Sequence, residues 1–213
     1  MHDGSVAAPT AGLHFTPQIF DDLKNKNIPH LYTTLHVGAG TFMPVKSKTM
    51  ENHAMHNEVM NITVKFLEQL LEQIDKTIIS VGTTSTRTLE SIYWMGNKII
   101  NQPDITIEEL KITQWQPYEI TKKHCSKDAV LALKDYIIKS GKNHLNIETQ
   151  IIIAPGYEFG IVKGLITNFH QPQSTLLLLV AALVGENWKS LYNYALEHGF
   201  RFLSYGDGNL LLP

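Results

Sequence analysis

Cysteine is nearly absent from this sequence: Cys125 is the single one in 213 residues. One thiol excludes an internal disulfide and any multi-cysteine zinc site built from this chain alone. It also fits a reducing cytoplasm. Arginine is almost as scarce, with Arg87 and Arg201 its only two occurrences. A guanidinium suits bidentate recognition of carboxylate or phosphate better than an ammonium does, so both positions are worth locating. Excess charge of either sign is missing too. A formal net charge of −2 leaves no generally basic surface. A nucleic-acid partner would therefore need a local basic patch. The Lys-rich stretches 46–48 and 122–127 are the two places to look, although a solvated surface is the plainer reading of each. Long apolar runs are lacking as well. The longest, residues 176–184, is too short to span a bilayer. The opening Met1-His2-Asp3-Gly4-Ser5 lacks the charged-then-apolar layout of a signal peptide. A membrane protein is not expected.

What is present is a core. Hydrophobic residues make up 43% of the chain, near the globular norm. Apolar spacing predicts helices over 17–26, 64–76, 86–95, 127–139, 174–184 and 188–198. Short β-branched or alternating runs predict strands over 31–37, 77–81, 147–153, 161–167 and 202–205. Helices alternating with such strands argue for an α/β fold: a layered domain with a parallel or mixed sheet and helices on its faces. Residues 96–127, with Asn97, Pro103, Asp104 and Pro117, read as an elaborated insertion between core elements. The whole chain, 1–213, reads as a single α/β domain. Both ends read as cut, because the chain opens almost directly on a motif and closes on Leu210-Leu211-Leu212-Pro213.

Six segments carry possible chemistry. In Ala7-Ala8-Pro9-Thr10-Ala11-Gly12-Leu13-His14-Phe15-Thr16, small residues allow close backbone approach to a ligand. A loop leading into a Thr16-capped helix, with His14 packed, reads equally well. Leu35-His36-Val37-Gly38-Ala39-Gly40-Thr41-Phe42 runs a strand into a Gly-x-Gly turn. It is not the dinucleotide fingerprint, since the third glycine and the following helix are missing. His53-Ala54-Met55-His56-Asn57-Glu58 groups two imidazoles and a carboxylate. Its spacing matches no zinc motif. A metal-dependent hydrolase centred on His53, His56 and Glu58 still stands beside proton transfer, substrate hydrogen bonding and a structural role.

Val81-Gly82-Thr83-Thr84-Ser85-Thr86-Arg87 ends a buried strand, turns on glycine and begins a helix. Unpaired N–H groups, hydroxyls and Arg87 make a natural cradle for a carboxylate or phosphate. The Gly-Lys pair of a P-loop is absent. An ordinary capped helix is the competing reading. Thr167-Asn168-Phe169-His170 again runs a strand into a polar turn, and Ser174 is placed to cap the Leu176-rich helix. Finally, Tyr205-Gly206-Asp207-Gly208 sets a phenol and a carboxylate at a tight turn.

Singly these segments are weak, but their ordered combination is specific. Segments 4–15, 34–42, 53–58, 81–87, 167–170 and 205–207 together resemble the S-adenosylmethionine:tRNA ribosyltransferase-isomerase family of queuosine biosynthesis. The resemblance covers nearly the whole chain apart from 96–127. It implies the large α/β domain of that fold, with the family's N-terminal portion and its smaller β-barrel domain mostly or wholly absent. It also implies a reaction. The ribosyl part of S-adenosylmethionine passes to the 7-aminomethyl-7-deazaguanine at the tRNA wobble position and is isomerised to give epoxyqueuosine, releasing adenine and methionine. S-adenosylmethionine is then a co-substrate, no permanent cofactor or metal is implied, and the tRNA anticodon loop is the partner. A truncated fragment that binds S-adenosylmethionine or tRNA without turnover is the alternative. The groups available for proton transfer are His14, His36, His56, Glu58, His170 and Asp207. Thr83, Thr84, Ser85 and Arg87 would hold the methionine carboxylate. Gly38, Gly40, Phe42, Asn168, Phe169 and Tyr205 would line the rest of the substrate pocket.

Overall fold

The computed structural model describes residues 8–36, 50, 55 and 57–213, with the side chains of Leu35 and His36 excepted. Among these, six strands fall into two three-stranded sheets. In the first, β1 (Thr34–His36), β2 (Glu58–Thr63) and β4 (His144–Thr149) lie in the order β1-β2-β4, all antiparallel. In the second, β3 (Ile79–Val81), β5 (Gly164–Asn168) and β6 (Gly208–Leu211) lie in the order β3-β5-β6. There β3 runs parallel and β6 antiparallel to β5. The expected α/β class, with a mixed sheet and covering helices, is what is found, but its strands divide between two sheets.

One helix joins the two. Helix α3 (Thr83–Asn101) starts where β3 ends and packs on β3, β4 and β5. Fourteen of its residues are buried, among them Thr86, Arg87, Glu90, Ile92, Trp94 and Met95. A helix buried on nearly every side shows no clean amphipathic stripe, which is why periodicity alone locates only its middle. Helix α5 (Ser126–Lys139) crosses it at Gly96, and α2 (Val64–Gln73) packs on α5. Cys125 caps α5, its Sγ accepting from the Asp128 N–H at 3.4 Å. Inside this layer the Glu90 carboxylate accepts from the N–H groups of Gly160, Ile161 and Val162 and from the Tyr157 hydroxyl, at 2.8 to 3.0 Å. Burial pushes that carboxyl upward, and the four donors pull it back.

Residues 96–127 do more than interrupt the core. Gly96 to Asn101 complete α3. Beyond them Ile105, Leu110 and Ile112 are buried, Ile112 bridges to Thr149 of β4, and Gln116–Glu119 form the short helix α4. The predicted strand over 202–205 is instead a turn. Leu203 adopts a φ of +68°, and its N–H donates to the Phe169 carbonyl at 2.8 Å. Strand β2 falls in a stretch whose histidines and glutamate suggest chemistry rather than structure. Its alternation is nonetheless regular, with Glu58, Met60 and Ile62 facing inward.

The remaining helices are α1 (Pro17–Asn25), α6 (Thr175–Val184) and α7 (Asn187–Glu197). Thr16 and Ser174 cap α1 and α6 as their positions suggest, accepting from Ile19 and Leu177. No helix of the described residues is long and apolar enough to cross a membrane. Between β5 and α7 the Phe169 ring packs against Tyr192, Phe200 and Phe202 at centroid distances of 5.2 to 5.6 Å. His170 is buried beside it, with Nε2 2.9 Å from the Thr167 hydroxyl and its N–H on the Tyr192 oxygen. Loss of hydration holds this imidazole down to about 4.

Two outcomes follow from this packing. A Cβ on Gly96 would stand 2.0 Å from the Ala129 carbonyl oxygen, so α3 and α5 would have to separate. Gly96→Ala should therefore lower unfolding free energy by about 2 kcal/mol, despite the ~1 kcal/mol that alanine adds to helix propensity; urea titration checks the sign. The unfolded His170 ring takes up a proton near its ordinary 6.5, while the folded ring waits until about 4. The unfolded state then binds more protons in that window, and stability falls as pH drops through it. The native chain should lose about 3 kcal/mol from this group between pH 6.5 and 4, and His170→Gln should remove that part of the slope.

Candidate active site

Strands β3 and β5 are parallel, and each delivers its chain to a helix at the same edge of the sheet. Ligands of open α/β sheets sit outside such carboxyl ends. After β3 the chain turns at Gly82, whose N–H donates to the Ile166 carbonyl at 2.8 Å. Gly82 has a φ of +89°, and a Cβ there would meet only Ala11 at 3.9 Å. Backbone conformation rather than space therefore demands the glycine. After β5 the chain passes through 169–174 into α6. The single-turn 3-10 helix Thr10–His14 lies against both, with Ala11 buried beside Gly82 and His14 beside Asn168.

His14 is seated by the last turn of the chain. Asn168, only 2% exposed, places its Nδ2 3.0 Å from His14 Nε2 and 3.1 Å from the Gly206 carbonyl oxygen. A Cβ on Gly208 would come within 3.1 Å of the His14 ring, so the glycine leaves the ring its place. Gly206 is equally constrained, since a Cβ would strike the Arg201 carbonyl at 2.5 Å. Asp207, between them, is held by Arg201. Its Oδ1 meets Nη2 at 2.7 Å, and its Oδ2 accepts from the Arg201 N–H at 2.8 Å. These bonds hold the Asp207 carboxyl below its usual range. Asp207 is thus an ionised anchor of the turn, occupied by one of the two arginines.

The other arginine is also paired. Arg87 Nη1 lies 2.6 Å from Glu58 Oε1, with 5% and 1% of their side-chain surfaces exposed. Arg87 Nε donates to the Ile151 carbonyl at 3.0 Å. Burial pushes the guanidinium downward, while the charge of Glu58 and its hydrogen bond draw it back up. The cradle expected over 82–87 is therefore not a free cation above a helix end. Its charge is matched by Glu58, and what remains open is Nη2, which finds no acceptor among the described residues. Thr83, Thr84, Arg87 and Glu58 line a narrow cleft with Met55 and Thr175, of about 10 Å³, room for one water. Thr83 and Thr84 open α3, which has no side-chain cap, so its first-turn N–H groups point into the same region. Ser85 is half-buried and does not line the cleft.

The candidate residues fall into two clusters and several outliers. His14, Asn168 and Asp207 gather in one cluster, and Glu58, Thr83, Thr84 and Arg87 in another at the same sheet edge. Phe169 and His170 are packed inward. Tyr205 stands in solvent, 94% exposed. Gly38, Gly40, Phe42, His53, His56 and the His36 side chain lie outside the described residues. Thr175, the Ile151 carbonyl and the seats made by Gly206 and Gly208 are not among the residues that the sequence singles out. Only the glycines had a visible signal, in the spacing Tyr205-Gly206-Asp207-Gly208.

Comparison with known proteins matches this arrangement to one family. A profile described as "Queuosine biosynthesis protein" matches residues 1–211. An S-adenosylmethionine:tRNA ribosyltransferase-isomerase of Rickettsia typhi is 41% identical over 212 residues, which is 98% of this chain and 45% of that protein. The enzyme of the same name from Rickettsia bellii is 41% identical over 211 residues, 98% of this chain and 47% of that one. A crystal structure of S-adenosylmethionine tRNA ribosyltransferase from Thermotoga maritima superposes with a TM-score of 0.60 at 28% identity, covering 95% of this chain and 51% of that one. The chain spans about half the length of the curated relatives it matches. With a profile match that runs through every segment of the site, the chain belongs to the queuosine biosynthesis protein family.

Proposed function

We propose that this chain forms the catalytic α/β part of an S-adenosylmethionine:tRNA ribosyltransferase-isomerase. The observation that carries the reading is that the family match over residues 1–211 coincides with a polar cluster at the carboxyl edge of β3 and β5. In this reading the ribosyl part of S-adenosylmethionine passes to the 7-aminomethyl-7-deazaguanine of the tRNA wobble position and is isomerised to epoxyqueuosine. Adenine and methionine leave. The modified base would be extruded from the anticodon loop to reach the site. A cytoplasmic location fits a tRNA substrate and a lone, unpaired cysteine.

The chemistry asks for an anion cradle, a base near the sulfonium carbon and an acid for the departing adenine. Thr83, Thr84 and the open Nη2 of Arg87 are suited to the methionine carboxylate once the cleft widens, with Ser85 beside them. Glu58 then serves to orient the guanidinium rather than to move protons. Among the described candidates for proton handling, His14 is exposed and reaches solvent. Asp207 is bound to Arg201, and His170 is buried and uncharged at neutral pH. His36 and His56 remain candidates by sequence, as do Gly38, Gly40 and Phe42 for the adenosine pocket. Binding without turnover is the second reading, favoured by the engagement of Arg87 with Glu58 and of Asp207 with Arg201.

The decisive assay incubates the 213-residue chain with S-adenosylmethionine and tRNA carrying the deazaguanine precursor, and follows adenine release. Release supports the enzyme. Calorimetric binding of S-adenosylmethionine with no release supports the second reading, and neither signal would sink both. Given turnover, His14→Ala should lower kcat at least ~100-fold. Arg87→Lys keeps the charge but loses the fork, and should raise KM for S-adenosylmethionine about tenfold; an unchanged KM would remove Arg87 from the cradle.

A further inference from the structure

We infer that Asn168 is a positioning residue that sets His14 as the Nδ1–H tautomer, so that the group His14 turns toward a ligand is a hydrogen-bond donor. The inference rests on the proposed reaction only for the identity of that ligand.

The Asn168 amide decides the tautomer. Its nitrogen and oxygen have opposite roles, and the neighbours decide which is which. One end of the amide lies 3.1 Å from the Gly206 carbonyl oxygen. A carbonyl only accepts, so that end must be the Nδ2 donor; an oxygen there would set two acceptors against each other. The same Nδ2 lies 3.0 Å from His14 Nε2. An amide nitrogen carries two hydrogens and accepts none. One hydrogen goes to Gly206, and the second points to His14. Nε2 of His14 must then be the bare, accepting nitrogen. In a neutral imidazole only one nitrogen is bare, so the proton resides on Nδ1.

The seat is built to hold this arrangement. Asn168 is the last residue of β5 and pairs in register with Gly208 of β6. Its amide can therefore swing little, and its Oδ1 is left buried with no donor among the described residues. Gly206 supplies the carbonyl that orients the amide, and Gly208 supplies the space under the ring. His14 Nδ1 has no hydrogen-bond partner among the described residues and sits on an exposed residue. What this histidine offers from its free side is an N–H. In the proposed reaction that N–H suits an electron-rich nitrogen or oxygen of the substrate. The base must then be another group.

The tautomer can be read without turnover, so this inference and the proposed reaction fail separately. Protein with 15N-labelled histidine is examined by long-range proton–nitrogen correlation at neutral pH, and the His14 ring is assigned by its loss in His14→Gln. The native chain should show His14 protonated at Nδ1 and bare at Nε2. Asn168→Asp replaces the donor with an acceptor and should move the proton to Nε2. Should that variant not fold, Gly208→Ala displaces the ring directly and should return it to the Nε2–H form that free imidazole favours. A native ring protonated at Nε2 would overturn the inference. So would an Nδ1–H tautomer that persists undiminished in every folded variant.

Discussion

The structure hangs on a buried ion pair. Glu58 begins a strand of the antiparallel sheet, and Arg87 sits in the first turns of the helix that leaves the other sheet. Their contact, with the bond from Arg87 to the Ile151 carbonyl, is what ties the two sheets together at the edge where the site lies. Two charges taken out of water lose much of their hydration, and their attraction returns it only if the geometry is good. A pair of this kind is therefore weak evidence for stability and better evidence for register. Any slip of β2 by one residue would turn Glu58 to the outer face and leave Arg87 alone in the interior.

That constraint also explains what could be read from the chain beforehand. Helices with a capping hydroxyl, such as the amphipathic one begun by Thr16 and the almost wholly apolar one begun by Ser174, are local events, and local sequence describes them well. Strand β2 was obscured because its inward row begins with a glutamate, which looks like a functional group until its partner is known. Residues 202–205 have the composition of a strand, yet the positive φ of Leu203 and the close backbone approach at Gly206 bend them into a turn. Neither feature is visible without the neighbours that impose it.

The site shows the same division. Residue types and order were enough to collect His14, Asn168 and Asp207 as candidates, because motifs preserve chemistry in sequence. Their actual engagements were not legible. Asp207 answers to Arg201, Arg87 to Glu58, and Asn168 to a carbonyl far along the chain. Charge pairing and amide orientation are properties of a folded neighbourhood with little solvent, where each polar group must find a partner. The two scarce arginines illustrate the point: each sets one guanidinium nitrogen against a carboxylate of the same chain.

The cluster around His14 has one more property, which concerns time rather than space. His14 and Asn168 stand 154 positions apart, and the turn that completes their seat comes later still. Contacts that close loops of this size form late, after the entropy of a long chain has been overcome. A growing polypeptide on the ribosome would hold its helices and much of its core long before residues 206–208 emerge. The pocket cannot exist on a partly made chain. Its last component to be synthesised is the one that puts its first in place.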